Sequence, residues 1–219
     1  MICFIGTSFA PTHLREAARL KGLPLTGQIH LADLVFISED TPTDNGVRDL
    51  IVIKNLIGSV LLQTKINATV VLTSQVPPGF TRSLGLPMYH MAETLRVKDA
   101  AHRAMYPEQF IVGCEKPDKP LPQVFLDYLH AFKCPVFQMT WEEAEFAKIA
   151  INMTLASQVE NATRLSVAAG KVGAKWEVIA NVLKHDRRIG PHSYLEPGDW
   201  KQSSHLLRDW VTLKEIENG

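Results

Sequence analysis

The sequence has few cysteines, no excess charge and no long apolar run, and each shortage closes off a class of protein. Its three cysteines, Cys3, Cys114 and Cys134, stand inside apolar stretches, at neither disulfide nor zinc spacings. Buried thiols in a reducing compartment are therefore expected, with the cytoplasm as the location and no metal site. Lys plus Arg and Asp plus Glu both number 23, so the formal charge is zero. That balance gives no basic footprint for nucleic acid and makes self-association easier. The apolar opening, MICFIG, is too short for a membrane span and lacks the basic flank of a signal peptide. Neither a membrane nor a nucleic acid is an expected partner, and repeats and low-complexity tracts are missing as well.

Apolar residues make up 46% of the 219, enough for a substantial core in one large or two small domains. Met1 to Ile5 reads as a buried strand, GTSFAP at Gly6 to Pro11 as a turn, and Thr12 to Lys21 as a helix ending at Gly22. In a dinucleotide-binding fold such a turn reads GxGxxG, its glycines letting the backbone approach a pyrophosphate at the helix N-terminus. Here Gly6 matches, whereas Ser8 and Pro11 occupy the other two positions. Such a fold also ends its second strand on an acidic residue about 20 residues further on. This chain offers only LPLTGQIHL between Gly22 and Ala32.

Leu34 to Ile37 is the next strand and leads into EDTPTDNG; Asp49 to Leu62 is a helical pattern; Thr69 to Thr73 is a strand running into SQVPPGFT. IVGC at Ile111 to Cys114, a helix near Gln123 to Phe132 and CPVFQM at Cys134 to Met139 complete an α/β unit. Thr140 followed by Glu143 forms a capping box, which places a helix start at Trp141. Phe146, Ile149, Ala150, Met153 and Ala156 then recur at helical spacing, with no Gly or Pro before Gly170. Lys148 and Asn152, four apart, share one face of this helix; taken alone they read as a solvated pair. A shorter helix, Trp176 to Lys184, ends at HDRRIG, and the tail from Thr212 to Gly219 is expected to be a fraying helix end.

Four segments, in order, carry a resemblance: VPPGFT at Val76 to Thr81, AETLR at Ala92 to Arg96, AEFAKIAINMTLA at Ala144 to Ala156, and DRRIG at Asp186 to Gly190. Through them the chain resembles the UDP-glucose and GDP-mannose dehydrogenase family, whose members oxidise the C6 alcohol of a nucleotide sugar to a carboxylate with two NAD. The resemblance runs, with gaps, over most of the chain. It implies an α/β fold: a reduced Rossmann-like parallel sheet over residues 1–139, followed by an all-helical dimerisation region with a long central helix over 140–219. ADLVFISEDTPTDNGVRDL resembles the family's fourth Rossmann strand and its Thr-Pro turn, so the second and third strands are expected to be missing, with strand 1 at the sheet edge. The family's C-terminal nucleotide-binding domain is expected to be absent. Gly6, Ser8, Thr41 and Ser74 become the candidate NAD contacts, with Gln75 standing where the family has Thr.

The resemblance also assigns chemistry. It places Lys148 and Asn152 as stabilisers of an oxyanion, Glu93 as an acid/base or water-positioning carboxylate, and Asp209 as an aid to proton transfer. Val97 replaces a second family glutamate, and Arg188 would approach a nucleotide sugar across a dimer interface. PGDWKQSSHLLRD, from Pro197 to Asp209, runs in the register of the family's catalytic loop and puts His205 where the nucleophilic cysteine stands. Oxidation of an aldehyde through a thioester needs an ionisable thiolate, a role imidazole does not readily take. A complete four-electron oxidation is therefore not expected.

Without the resemblance, Glu93 is a surface carboxylate, His205 a polar residue on a surface turn, and Arg188 an exposed arginine beside a helix end. Three functions stay open. One is a degenerate NAD-dependent nucleotide-sugar dehydrogenase. Another is a non-catalytic interaction protein that forms a homodimer through the central helix or pairs with a full-length dehydrogenase. The third is a single-step alcohol dehydrogenase, producing one reduced cofactor per product.

Overall fold

The computed structural model describes residues 1–219. The elements run β1 (Ile2–Ile5), α1 (Phe9–Leu20), β2 (Leu34–Ile37), β3 (Thr43–Asp44), β4 (Val47–Arg48), α2 (Leu50–Leu61), β5 (Thr69–Leu72), α3 (Phe80–Ser83), β6 (Tyr89–Met91) and α4 (Ala100–Met105). After these come β7 (Phe110–Cys114), α5 (Gln123–His130), β8 (Val136–Thr140), α6 (Trp141–Lys171), α7 (Trp176–His185) and α8 (Ser204–Asn218). Two compact units result, one from Met1–Pro42 with Arg48–Lys148, the other from Thr43–Val47 with Ile149–Gly219.

The first unit is built on a six-stranded sheet in the order β1-β2-β5-β6-β7-β8. Successive side chains on a strand face opposite sides, so each short apolar run feeds two cores. Phe4, Leu34, Phe36 and Val71 pack on one side with Leu14, Ala17 and Ala18 of α1 and Phe125, Tyr128 and Leu129 of α5. Cys3, Val35, Ile37, Val70 and Leu72 pack on the other with Ile53, Ile57 and Val60 of α2. Phe4 and Phe36 stack across β1 and β2 with centroids 4.9 Å apart.

The sheet departs from the all-parallel expectation at one place: β6 and β7 are antiparallel, while the other four pairings are parallel. Nor is the outer edge of β1 bare. The Ile2 N–H donates to the Pro24 carbonyl at 2.7 Å and the Thr26 N–H to the Ile2 carbonyl at 2.9 Å, so Leu25 forms a one-residue bridge in the place of a second strand. The first helix begins at Phe9 rather than Thr12, because Pro11 fits a first helical turn, where its missing N–H costs no bond.

In the second unit the turn after α6 closes with an Ala174 N–H to Ala169 carbonyl bond of 2.9 Å. The segment before α8 is tied to α6: the Tyr194 N–H donates to Gln158 Oε1 at 2.8 Å, and Thr163 Oγ1 both donates to the Gly198 carbonyl and accepts from its N–H at 2.9 Å. Trp176 Nε1 donates to the Leu195 carbonyl at 2.9 Å. Residues 141–218 hold only helices and turns, as expected, and residues 43–47, from the β3–β4 hairpin, group with this unit. The tail is helical through Asn218.

Candidate functional site

In the first unit the C-terminal ends of the neighbouring parallel strands β1, β2 and β5 gather three loops. This is where an open α/β sheet holds a ligand. All four candidate NAD contacts stand here, and each is engaged in joining one loop to another. Gly6, at φ 135, lets the backbone approach β2's exit so closely that an added Cβ would lie 2.4 Å from the Ser38 carbonyl oxygen. Ser8 occupies the N-cap position of α1 without capping it; its hydroxyl donates to the Ser38 carbonyl and accepts from the Asp40 N–H, both at 3.1 Å. Buried Thr41 donates to the Gln75 carbonyl at 2.7 Å, and buried Ser74 accepts from the Glu39 N–H at 3.1 Å.

Sequence reasoning passed over the group at the centre of these loops, Glu39. Its carboxylate accepts from the Thr7 N–H at 2.7 Å, from the Thr7 hydroxyl at 3.2 Å and from the Asp40 N–H at 3.1 Å. Burial by itself would raise the Glu39 pKa, but the Thr7 and Asp40 amides with the Thr7 and Ser8 hydroxyls bring it below the ordinary value. The carboxylate is thus held ionised at the turn where a dinucleotide fold binds pyrophosphate. The turn does not fit NAD: the Thr7 amide is already used, the close approach at Gly6 is spent on Ser38, and a fixed negative charge is present.

The start of α6 is fastened to the VPPGFT turn by a second carboxylate, one that no spacing or motif singles out. Glu145, 1% exposed, accepts from the N–H groups of Gly79 at 2.6 Å and Thr81 at 2.9 Å. Its pKa is raised by burial, with the amides pulling the other way. Trp141 Nε1 donates to the Met88 carbonyl at 3.1 Å, and Arg82 lies over the Trp141 ring and pairs with Glu142. The capping box is formed in both directions, the Thr140 N–H to Glu143 at 2.8 Å and the Glu143 N–H to Thr140 Oγ1 at 3.3 Å. Lys148, half-buried, is one turn beyond Glu145 on α6. Glu93, also half-buried, accepts the Leu95 N–H within its own loop.

In the second unit Asn152 and Asp209 come together: Asn152 Nδ2 donates to Asp209 Oδ2 at 2.6 Å. Asp209 is fully buried and Asn152 nearly so, which corrects the reading of Asn152 as solvated. Arg208 and Thr212 are buried beside them in α8, Thr212 donating to the Arg208 carbonyl at 3.1 Å. His205 is exposed in the first turn of α8, not on a loop turn. Arg188 has 89% of its side chain exposed and pairs with Asp186 at 2.7 Å. Every cysteine lies in the first unit, and burial raises the pKa of each. No thiolate stands near Asn152 and Asp209 within their own unit.

A mostly parallel α/β sheet followed by a long helix defines a Rossmann-like chain. Residues 142–214 match the model of the UDP-glucose/GDP-mannose dehydrogenase family, central domain. The UDP-glucose 6-dehydrogenase YwqF of Bacillus subtilis (strain 168) is 29% identical over 200 residues, which cover 84% of this chain and 44% of that protein. A UDP-glucose dehydrogenase from the archaeon Pyrobaculum islandicum superposes with a TM-score of 0.72 at 17% identity, over 99% of this chain and 68% of the other. An NDP-N-acetyl-D-galactosaminuronic acid dehydrogenase from Methanosarcina mazei Go1 gives 0.71 at 18% identity, over 100% and 61%. The chain is thus similar to members of the UDP-glucose/GDP-mannose dehydrogenase family, the match to the family model lying in residues 142–214. It spans under half the length of YwqF. No helix is long and apolar enough to cross a membrane.

Proposed function

We propose that this protein is a nucleotide-sugar dehydrogenase-like protein that does not carry out the family's two-step oxidation and instead works by association of its central helical region with a second copy. The observation that carries this reading is the surface of the second unit. Val167, Val172, Val178 and Val182 are exposed by 58, 80, 63 and 67% along α6, the turn after it, and α7. Burying a valine fully is worth about 1.5–3 kcal/mol, and Val178 and Val182, four apart on α7 and so on one face of it, leave apolar area in water of the kind that marks an interaction surface. The formal charge of zero offers no long-range repulsion between copies.

Chemistry supports the other half of the reading. At the register of the family's nucleophile His205 is an exposed imidazole, and the Asn152 amide donates to the Asp209 carboxylate in a buried pair. A thioester route has no cysteine thiol to begin from in this unit. The protein would serve as a homodimer, or as a partner to a full-length dehydrogenase that offers the same kind of helical face.

Sedimentation equilibrium tests the association. Wild type is expected to be a dimer at micromolar concentration, and the double variant Val178→Glu, Val182→Glu a folded monomer. A wild type that stays monomeric into the submillimolar range, alone and when mixed with a full-length dehydrogenase, would contradict the reading.

A further inference from the structure

The first strand–helix turn can be followed further, because the charge that fills it comes from the chain itself. Glu39 follows β2 by two residues, on the strand next to β1 in the sheet. Its backbone is pinned by the bond from its N–H to Ser74 Oγ, and its side chain turns towards the Gly6–Ser8 turn. Oε2 takes the Thr7 amide and hydroxyl, and Oε1 takes the Asp40 amide. A carboxylate that accepts a backbone amide at 2.7 Å makes the kind of charge-assisted bond a phosphate oxygen would make at this place.

We propose that Glu39 is an internal plug: it occupies the anion position of the Gly6–Ser8 turn and excludes pyrophosphate-bearing ligands such as NAD from the first unit. A pyrophosphate entering here would have to displace the carboxylate from two amides and then lie beside Glu39, a like charge at close range. Glu39 also ties the β2 loop to the turn before α1, so the plug and the local structure are one device. The proposal stands independently of self-association, which sedimentation reads separately.

The test uses the full chain labelled with nitrogen-15, as wild type, Glu39→Gln and Glu39→Ala, titrated in turn with inorganic pyrophosphate and with NAD. Amide resonances of Thr7, Ser8 and Phe9 report on the turn, and calorimetry gives the affinity. Wild type should show no saturable shift up to millimolar ligand. Freeing the Thr7 and Asp40 amides and removing one like charge should tighten binding in Glu39→Ala by at least about ten- to a hundredfold. Glu39→Gln, which loses the charge and keeps the bulk, should fall between and serves if the alanine variant fails to fold. Equal behaviour of wild type and the folded variants, whether all bind or none does, would overturn the proposal.

Discussion

His90 is the group whose burial makes the sharpest quantitative demand. It lies on β6, 2% exposed, opposite Gly113 of β7, and its Nδ1 has no hydrogen-bond partner. Desolvation lowers its pKa from 6.5 to about 4. Between those values the unfolded chain binds a proton that the folded chain refuses. The stability that depends on a neutral His90 is therefore complete above about pH 6.5 and is lost as the pH falls towards 4. The interval of about 2.5 pH units, at about 1.36 kcal/mol each, amounts to roughly 3–4 kcal/mol. Of this, about 3 kcal/mol is gone at pH 4, where the folded group is half protonated. Domains of ordinary stability hold about 5–15 kcal/mol in total, so the loss should be plain in urea denaturation of wild type and His90→Leu at about pH 7.5 and about pH 4. Carboxylates titrate in both proteins and cancel in the comparison, including Glu145, whose raised pKa acts in the opposite direction. Wild type should lose about 3 kcal/mol more than the variant. Equal acid sensitivity of the two proteins would refute the argument.

Two further outcomes follow from close contacts in the first unit. Glu145→Gln replaces one of two amide-accepting oxygens with a donor, which should cost about 1.5–3 kcal/mol in urea denaturation at neutral pH; undiminished stability would mean that Glu145 does not anchor the VPPGFT turn. At Gly113 an added Cβ would lie 2.9 Å from Ala144 Cβ and 3.0 Å from Trp141 Cα, so Gly113→Ala should destabilise by about 1–3 kcal/mol, read as a lower midpoint in thermal unfolding.

Elements with a strong local signature were legible in the sequence. The capping box at Thr140 set the start of α6, and the short apolar runs set β1, β2, β5 and β7, because helix caps and buried strands depend on residues a few positions apart. The antiparallel β6–β7 pairing was not legible, since β6 is only three residues long and its partner is fixed by the sheet as a whole. The bridge at Leu25 escaped for a related reason: it consists of backbone bonds from a segment without strand composition. Glu145 stood inside the very motif that pointed to Lys148 and Asn152, but a carboxylate's partners among distant backbone amides leave no trace in spacing. Glu39 was hidden in the same way. It reads as one more acid in EDTP until the fold sets it against Thr7. Asn152 and Asp209, 57 residues apart, were linked through family resemblance alone, and their direct bond is a product of the fold.

The proposed function joins a Rossmann-like fold to the loss of the family's oxidising chemistry, and it is supported by the Glu39 carboxylate in the first strand–helix turn, the exposed His205 imidazole and the buried Asn152–Asp209 hydrogen bond. The most direct measurement is to incubate the purified full chain with NAD and UDP-glucose and to follow both reduced nicotinamide and the sugar product. Neither is expected above background. Two reduced cofactors per sugar acid would contradict it outright, and one per product would replace it with a single-step alcohol dehydrogenase.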